Sequence, residues 1–187
     1  QCASKLLAAF PGLSAFLHKK QAAMTTKTIT CLALMLAFGV AVNAQSGLKA
    51  EYFNGRNFEQ LVLTRTDAQI NFVWDNVPPA AGVDANVFSA RWTGKIQSPE
   101  TGNYLFRAHV DDGIRVWVDG KLIIDAWDLH DSERATGQIA LTAGRQYSLM
   151  VEYFNGLIEG EIQLFWQLPS EAPVFGGLLG YNDHIIE

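Results

Sequence analysis

The chain has 187 residues, 49% of them apolar and 18% charged, which is enough for one buried core and too apolar for intrinsic disorder. Its charge is lopsided: four of the 14 basic residues precede Gln45 while all 19 acidic residues follow it, leaving ten basic against 19 acidic groups from Gln45 onward. Such a surface repels nucleic acid and anionic membranes and suits cations or neutral ligands.

Residues 1–23 precede an initiator-like Met24 and read as over-extended translation. Residues 24–44 read as a secretory signal peptide: Lys27, an apolar run from Ile29 to Val42, then the small-x-Ala ending Val42-Asn43-Ala44. The run falls short of the roughly 20 residues a spanning helix needs, and no second candidate follows, so no membrane insertion is expected after cleavage. The expected location is therefore secreted or in the cell envelope. Both cysteines, Cys2 and Cys31, fall before Gln45, so the secreted part is expected to have no disulfide.

From Leu48 to Leu168 short strand signals recur between Gly, Asn, Asp and Pro: "LKAEYF" (48–53), "INFVW" (70–74), "VFSARWTGKIQS" (87–98), "NYLFRAHV" (103–110), "IRVWV" (114–118), "KLIIDAW" (121–127), "GQIALT" (137–142), "RQYSLMVEYF" (145–154) and "EIQLFWQL" (161–168). Tyr104, Phe106, Ala108 and Val110 alternate with more polar neighbours, as do Tyr147, Leu149, Val151 and Tyr153, the period-two pattern of a strand with one buried face. "VDGKL" is the strongest hairpin cue in the chain. An all-β fold, an antiparallel β-sandwich over 45–168, is the economical solution. Residues 169–187, rich in Gly and Pro without alternation, read as a linker or the start of a further region.

One stretch carries chemistry. Asp111 and Asp112 stand side by side at a predicted strand end, where adjacent carboxylates repel and, on a regular strand, point to opposite faces. They can converge only if the backbone between them is distorted, for example by a cis peptide. A hard cation taking six to eight oxygens, which means calcium, is the natural partner. Two carboxylates cannot fill that sphere; "YFNGLIEGEI" (153–162) offers Asn155 and a Gly-flanked turn able to aim main-chain carbonyls inward.

"GLKAEYF", "RWTGKIQSPETGNYLFRAHVDDGIRVWVDGKLIIDAW" and "YSLMVEYFNGLIEGEIQLFWQLP" together resemble the protective-antigen-type domain family found in bacterial glycosidases, bacterial toxins and yeast adhesins. The resemblance spans about 48–168. It implies a calcium site in which consecutive aspartates joined by a cis peptide act with an asparagine and with backbone oxygens two and four residues beyond it. Here these would be Asp111, Asp112, Asn155 and the carbonyls of Leu157 and Glu159. Open coordination positions would accept vicinal sugar hydroxyls. Trp127, at the end of "KLIIDAW", and His130 are the candidate ligand contacts, whereas Trp117 and Trp166 lie within strand patterns and are expected to pack in the core.

The reading is a secreted calcium-dependent carbohydrate-binding module whose partner is a glycan or cell-surface polysaccharide. The alternative is a non-catalytic structural or adhesive cell-envelope domain that holds calcium without sugar. Enzymatic readings find little support. Asp111 and Asp112 are sequence neighbours, not carboxylates set about 5–9.5 Å apart across a glycosidic bond. Ser132 lacks a nucleophile elbow, and His109 and His130 have no zinc spacing. The acidic run Asp125, Asp128, Asp131 and Glu133 reads as a wet loop, with a secondary cation site as the alternative.

Overall fold

A computed structural model describes residues 47–131, 133–171 and 184–186. The expected leader, both cysteines, Ser132 and most of the 169–187 segment lie outside them. The described residues form strands and no helix: β1 (Leu48–Asn54), β2 (Gln60–Asp67), β3 (Asn71–Val73), β4 (Phe88–Gln97), β5 (Gly102–Asp111), β6 (Gly113–Val118), β7 (Lys121–Ala126), β8 (Glu133–Leu141), β9 (Gln146–Asn155), β10 (Glu161–Gln167) and β11 (His184–Ile185). A six-stranded sheet runs β2-β1-β4-β9-β6-β7 and a five-stranded sheet β11-β10-β5-β8, with β3 pairing β10. Every pairing is antiparallel.

The two-residue alternation builds the core. Tyr104, Phe106, Ala108 and Val110 of β5 and Tyr147, Leu149, Val151 and Tyr153 of β9 are all buried, as their pattern predicts. Ile114, Val116 and Val118 of β6 join them from the six-stranded sheet, and Ile162 and Leu164 of β10 from the other. Asp119 and Gly120 both take positive φ, 51° and 77°, between the paired Val118 and Lys121, the geometry a two-residue hairpin needs.

Three features depart from the sequence reading. β2 carries no clear strand signal because it is an edge strand whose residues, apart from Asp67, are exposed or half-buried, so alternation is blurred. Trp166 packs on Tyr104 and Phe106, at centroid distances of 5.1 and 6.0 Å. Trp117, by contrast, sits between the inward-facing Val116 and Val118, so it belongs to the outer face of its sheet and is only half-buried. The sandwich also does not end at Leu168: β11 pairs with Phe165 and Trp166, and Ile186 is 1% exposed, with main-chain hydrogen bonds to Ile70 and Leu164.

A buried carboxylate locks β2 in place. Asp67, 7% exposed, accepts hydrogen bonds from the Tyr52 hydroxyl at 2.6 Å and Trp92 Nε1 at 2.9 Å, and from Arg65 Nε at 2.6 Å. The Arg65 guanidinium lies 4.6 Å over the Tyr52 ring and donates to its hydroxyl. β7 and β8, edges of different sheets, meet at Gly137, where a Cβ would collide with the main-chain oxygen of Ile123. Gly137→Ala is therefore expected to lower the unfolding free energy by about 1–3 kcal/mol, read by urea denaturation. An unchanged midpoint would mean the strands separate at no cost.

Candidate functional site

The paired aspartates stand where the chain changes sheets. β5 ends at Asp111 in the five-stranded sheet and β6 starts at Gly113 in the six-stranded one, so the two carboxylates form the crossover itself. Three further crossovers meet them: 74–87 from β3 to β4, 127–132 from β7 to β8, and 156–160 from β9 to β10. Some of the contacts at this end are between main-chain groups. Trp74 N donates to Gly160 O at 2.8 Å, and Asp112 N to Phe154 O at 3.3 Å.

The Asp111–Asp112 peptide bond is cis. Asp112 is 2% exposed, and each of its oxygens is fixed by a main-chain donor: Oδ1 by His130 N at 3.2 Å and Oδ2 by Gly156 N at 2.7 Å. One buried carboxylate thus ties together the 127–132 and 156–160 crossovers. Asp111 is half-buried, and its carbonyl accepts the Tyr153 hydroxyl at 2.5 Å.

Asn155 ends β9 with no exposed surface. Its Nδ2 donates to Leu157 O at 3.3 Å and Ala85 O at 3.4 Å, which fixes the amide orientation and leaves Oδ1 buried without a donor among the described residues. A buried acceptor left unpaired is costly unless something fills it. The donors on hand are carboxylate, amide and carbonyl oxygens, the set a hard cation such as calcium takes, and they fit such an ion. Among the described residues no three His, Cys, Asp or Glu side chains converge as a metal cluster, so a cation here would rely on Asn155 and main-chain oxygens beside the two aspartates.

The remaining candidates fall into two groups. Leu157 and Glu159 lie in the 156–160 crossover with exposed side chains, so their carbonyls are what they can offer. What His130 brings to Asp112 is its main-chain N–H. Trp127 is half-buried and its ring is engaged by protein: stacked on Phe58 at 5.9 Å, edge-on to Phe154 at 4.8 Å, and 4.5 Å beneath the Arg115 guanidinium. Arg91 lies 4.4 Å over Phe58 and donates to Glu152, and Arg115 pairs with Asp125 at 3.0 Å. The result is a guanidinium–Phe58–Trp127–guanidinium stack at the base of the 127–132 crossover.

The sequence reading missed the two N–H donors to Asp112, which are main-chain groups and leave no side-chain signal. It also read Tyr153 purely as core, though its hydroxyl reaches the site. Burial, then the neighbouring charges of Asp111 and Asp112, push the Tyr153 phenol well above its ordinary value near 10. Burial and the Asp67 contact push Tyr52 the same way. A raised folded-state value keeps this stabilisation intact below about pH 10, where unfolded tyrosine titrates, and removes it as pH rises further. Unfolding free energy is therefore expected to fall steeply above about pH 10, with Tyr52→Phe abolishing part of the fall. A flat alkaline profile would contradict this.

The described chain is an antiparallel sandwich that gathers sheet-to-sheet crossovers around an oxygen-rich end. The chain belongs to the PA14 domain family, whose model matches residues 44–174. It is 35% identical over 126 residues to the anti-sigma-I factor RsgI3 of Acetivibrio thermocellus, covering 67% of this chain and 20% of that protein. It is 32% identical over 117 residues to a beta-glucosidase of Rhizobium radiobacter, covering 57% of this chain and 14% of that protein. Among solved structures, an anti-sigma factor domain-containing protein from Clostridium clariflavum superposes with a TM-score of 0.67 at 35% identity, over 75% of this chain and 44% of that one. The Epa9A adhesin domain of Candida glabrata, solved with Galb1-4GlcNAc, shares the fold at TM-score 0.54 and 14% identity, over 66% of this chain and 82% of that one. The chain thus spans a fifth or less of the curated relatives it matches.

Proposed function

We propose that this chain is a calcium-dependent carbohydrate-binding module, exported to the cell envelope or beyond and carried by longer proteins. Asp111, Asp112, Asn155 and the carbonyls of Leu157 and Glu159 would hold the ion, which supplies open coordination positions for vicinal hydroxyls of a glycan. The observation that carries the reading is the buried, donorless Oδ1 of Asn155 beside the buried carboxylate of Asp112. The same fold in Epa9A, which was solved with a galactosyl disaccharide, supports it. So does the extent of the relatives' matches, a fifth or less of an anti-sigma-I factor and of a beta-glucosidase.

The test is a glycan array run with calcium and with chelator. Binding should vanish on chelation and return with calcium, and Asn155→Ala should weaken ion and glycan together. Calcium binding with no glycan response in either condition would instead establish the structural reading, in which the ion only staples the loops. That second reading draws on Trp127, whose ring is already engaged on several sides. Trp127→Ala separates the roles: as an anchor of the crossover that brings His130 N to Asp112, its loss should weaken calcium affinity about tenfold. A platform for sugar alone would leave calcium affinity unchanged.

A further inference from the structure

The outer face of the five-stranded sheet bears a groove of about 700 Å³ that shares no residue with the Asp111, Asp112 and Asn155 site. Strand register lays it out. Gln163, His109 and Arg134 face one another in one row across β10, β5 and β8, and Phe165, Arg107 and Thr136 in the next. Leu105 and Gln138 follow, one step further along β5 and β8. These residues alternate with the core-facing Phe106, Ala108 and Val110 of β5 and Ile162 and Leu164 of β10, so they point away from the core.

The face runs against the charge of the chain. From Gln45 onward acidic residues outnumber basic ones 19 to ten, yet two guanidiniums and an imidazole gather here against one lining carboxylate, Glu171, which is already engaged by Leu168 N and His184. His109 shares Glu161 at 3.4 Å, whereas Arg134 is exposed and has no ion pair among the described residues. Arg107 and Arg134 are on neighbouring strands one diagonal step apart, roughly 7–8 Å between Cα atoms, Arg134 exposed and Arg107 half-buried, so the positive charge is spread along the groove and not gathered at one point. Guanidinium forks match carboxylates in two-point contact. The amides of Gln138 and Gln163 can both donate to and accept from hydroxyls, and Phe165 and Leu105 give an apolar floor for the C–H face of a sugar ring. From Asn103 to His109 the floor extends roughly 20 Å at about 3.3 Å per residue. β5 lies between two strands, its backbone groups already engaged in ladders, so the groove reads a ligand through side chains and offers no edge along its floor for peptide strand addition.

We propose that this face is a second binding surface, for an extended polysaccharide bearing carboxylates, independent of calcium. The test uses the purified chain in chelator, which silences the ion site, so failure here leaves the calcium-dependent reading untouched. A mannuronate hexamer, its neutral counterpart mannohexaose and a hexaglutamate peptide are titrated by calorimetry. The uronate should bind, should weaken as salt is raised, and should lose about tenfold in affinity with Arg134→Ala while the melting temperature is unchanged. Gln163→Ala, at the opposite edge of the groove, should also weaken it. No uronate binding, equal binding of mannohexaose, binding of hexaglutamate as tight as that of the uronate, or an Arg134→Ala variant with wild-type affinity would each overturn the proposal.

Discussion

With calcium at the proposed site, Asp112→Asn is expected to abolish the stabilisation that the ion would give. An ion bound only by the folded chain adds about 2.7 kcal/mol at a hundredfold excess over Kd, on the order of 10 °C in melting temperature for a domain of this size. The substitution removes one of the two carboxylate charges that would face the ion. It also spoils the cradle, because the side chain accepts from His130 N on one oxygen and from Gly156 N on the other. An asparagine has one acceptor and must turn an N–H₂ toward one of those donors, so the variant should lose a further 1–3 kcal/mol or so without calcium. Melting curves in calcium and in chelator measure both effects. A variant that keeps the calcium increment would remove Asp112 from the ion's coordination.

The second large effect lies far from that site. Asp67→Ala should cost about 3 kcal/mol in urea unfolding, since it strands the Tyr52 hydroxyl and the Trp92 indole N–H in the core and leaves Arg65 unpaired. Arg65 is about one-third exposed, which holds the figure at the lower end of what breaking a buried ion pair costs. The proposed calcium increment should persist, because Asp67 reaches the crossovers only through Arg65, which donates to Pro79 O in the 74–87 segment, and its own partners Tyr52, Arg65 and Trp92 include none of Asp111, Asp112 and Asn155. A loss under about 1 kcal/mol would mean that water replaces the carboxylate.

Much of this was legible in the sequence, for identifiable reasons. β5 and β9 each bury one face against the opposite sheet, so their alternation is clean and the sandwich follows from it. The hairpin at Asp119–Gly120 is written in residues that tolerate positive φ. Asp111, Asp112 and Asn155 announce themselves as oxygen-bearing side chains at strand ends, and the structure does bring them to one end of the molecule. What stayed hidden is non-local or main-chain. β2 earns its place through one buried aspartate at its end, met by partners 15 and 25 residues away. Ile186 returns to the core after a stretch with no strand pattern. Trp127 looks like a free aromatic at a strand end because the Phe58 ring and the Arg115 guanidinium that take it up come from other parts of the chain.

β9 runs through the middle of the six-stranded sheet, bonded to β4 over its whole length on one side and to β6 on the other, and it ends in Asn155. The amide of a residue in the middle of such a strand exchanges with solvent only when the sheet itself opens. Val151, paired on both sides, should therefore rank with the slowest-exchanging amides and Asn155, paired to β4 alone, somewhat below it, while Leu157 and Ile158, two and three residues on and largely exposed, exchange quickly. At the proposed site a ligand would thus meet an oxygen carried by the sheet, beside a loop tied at Gly156, Leu157 and Gly160 with the exposed Ile158 and Glu159 between.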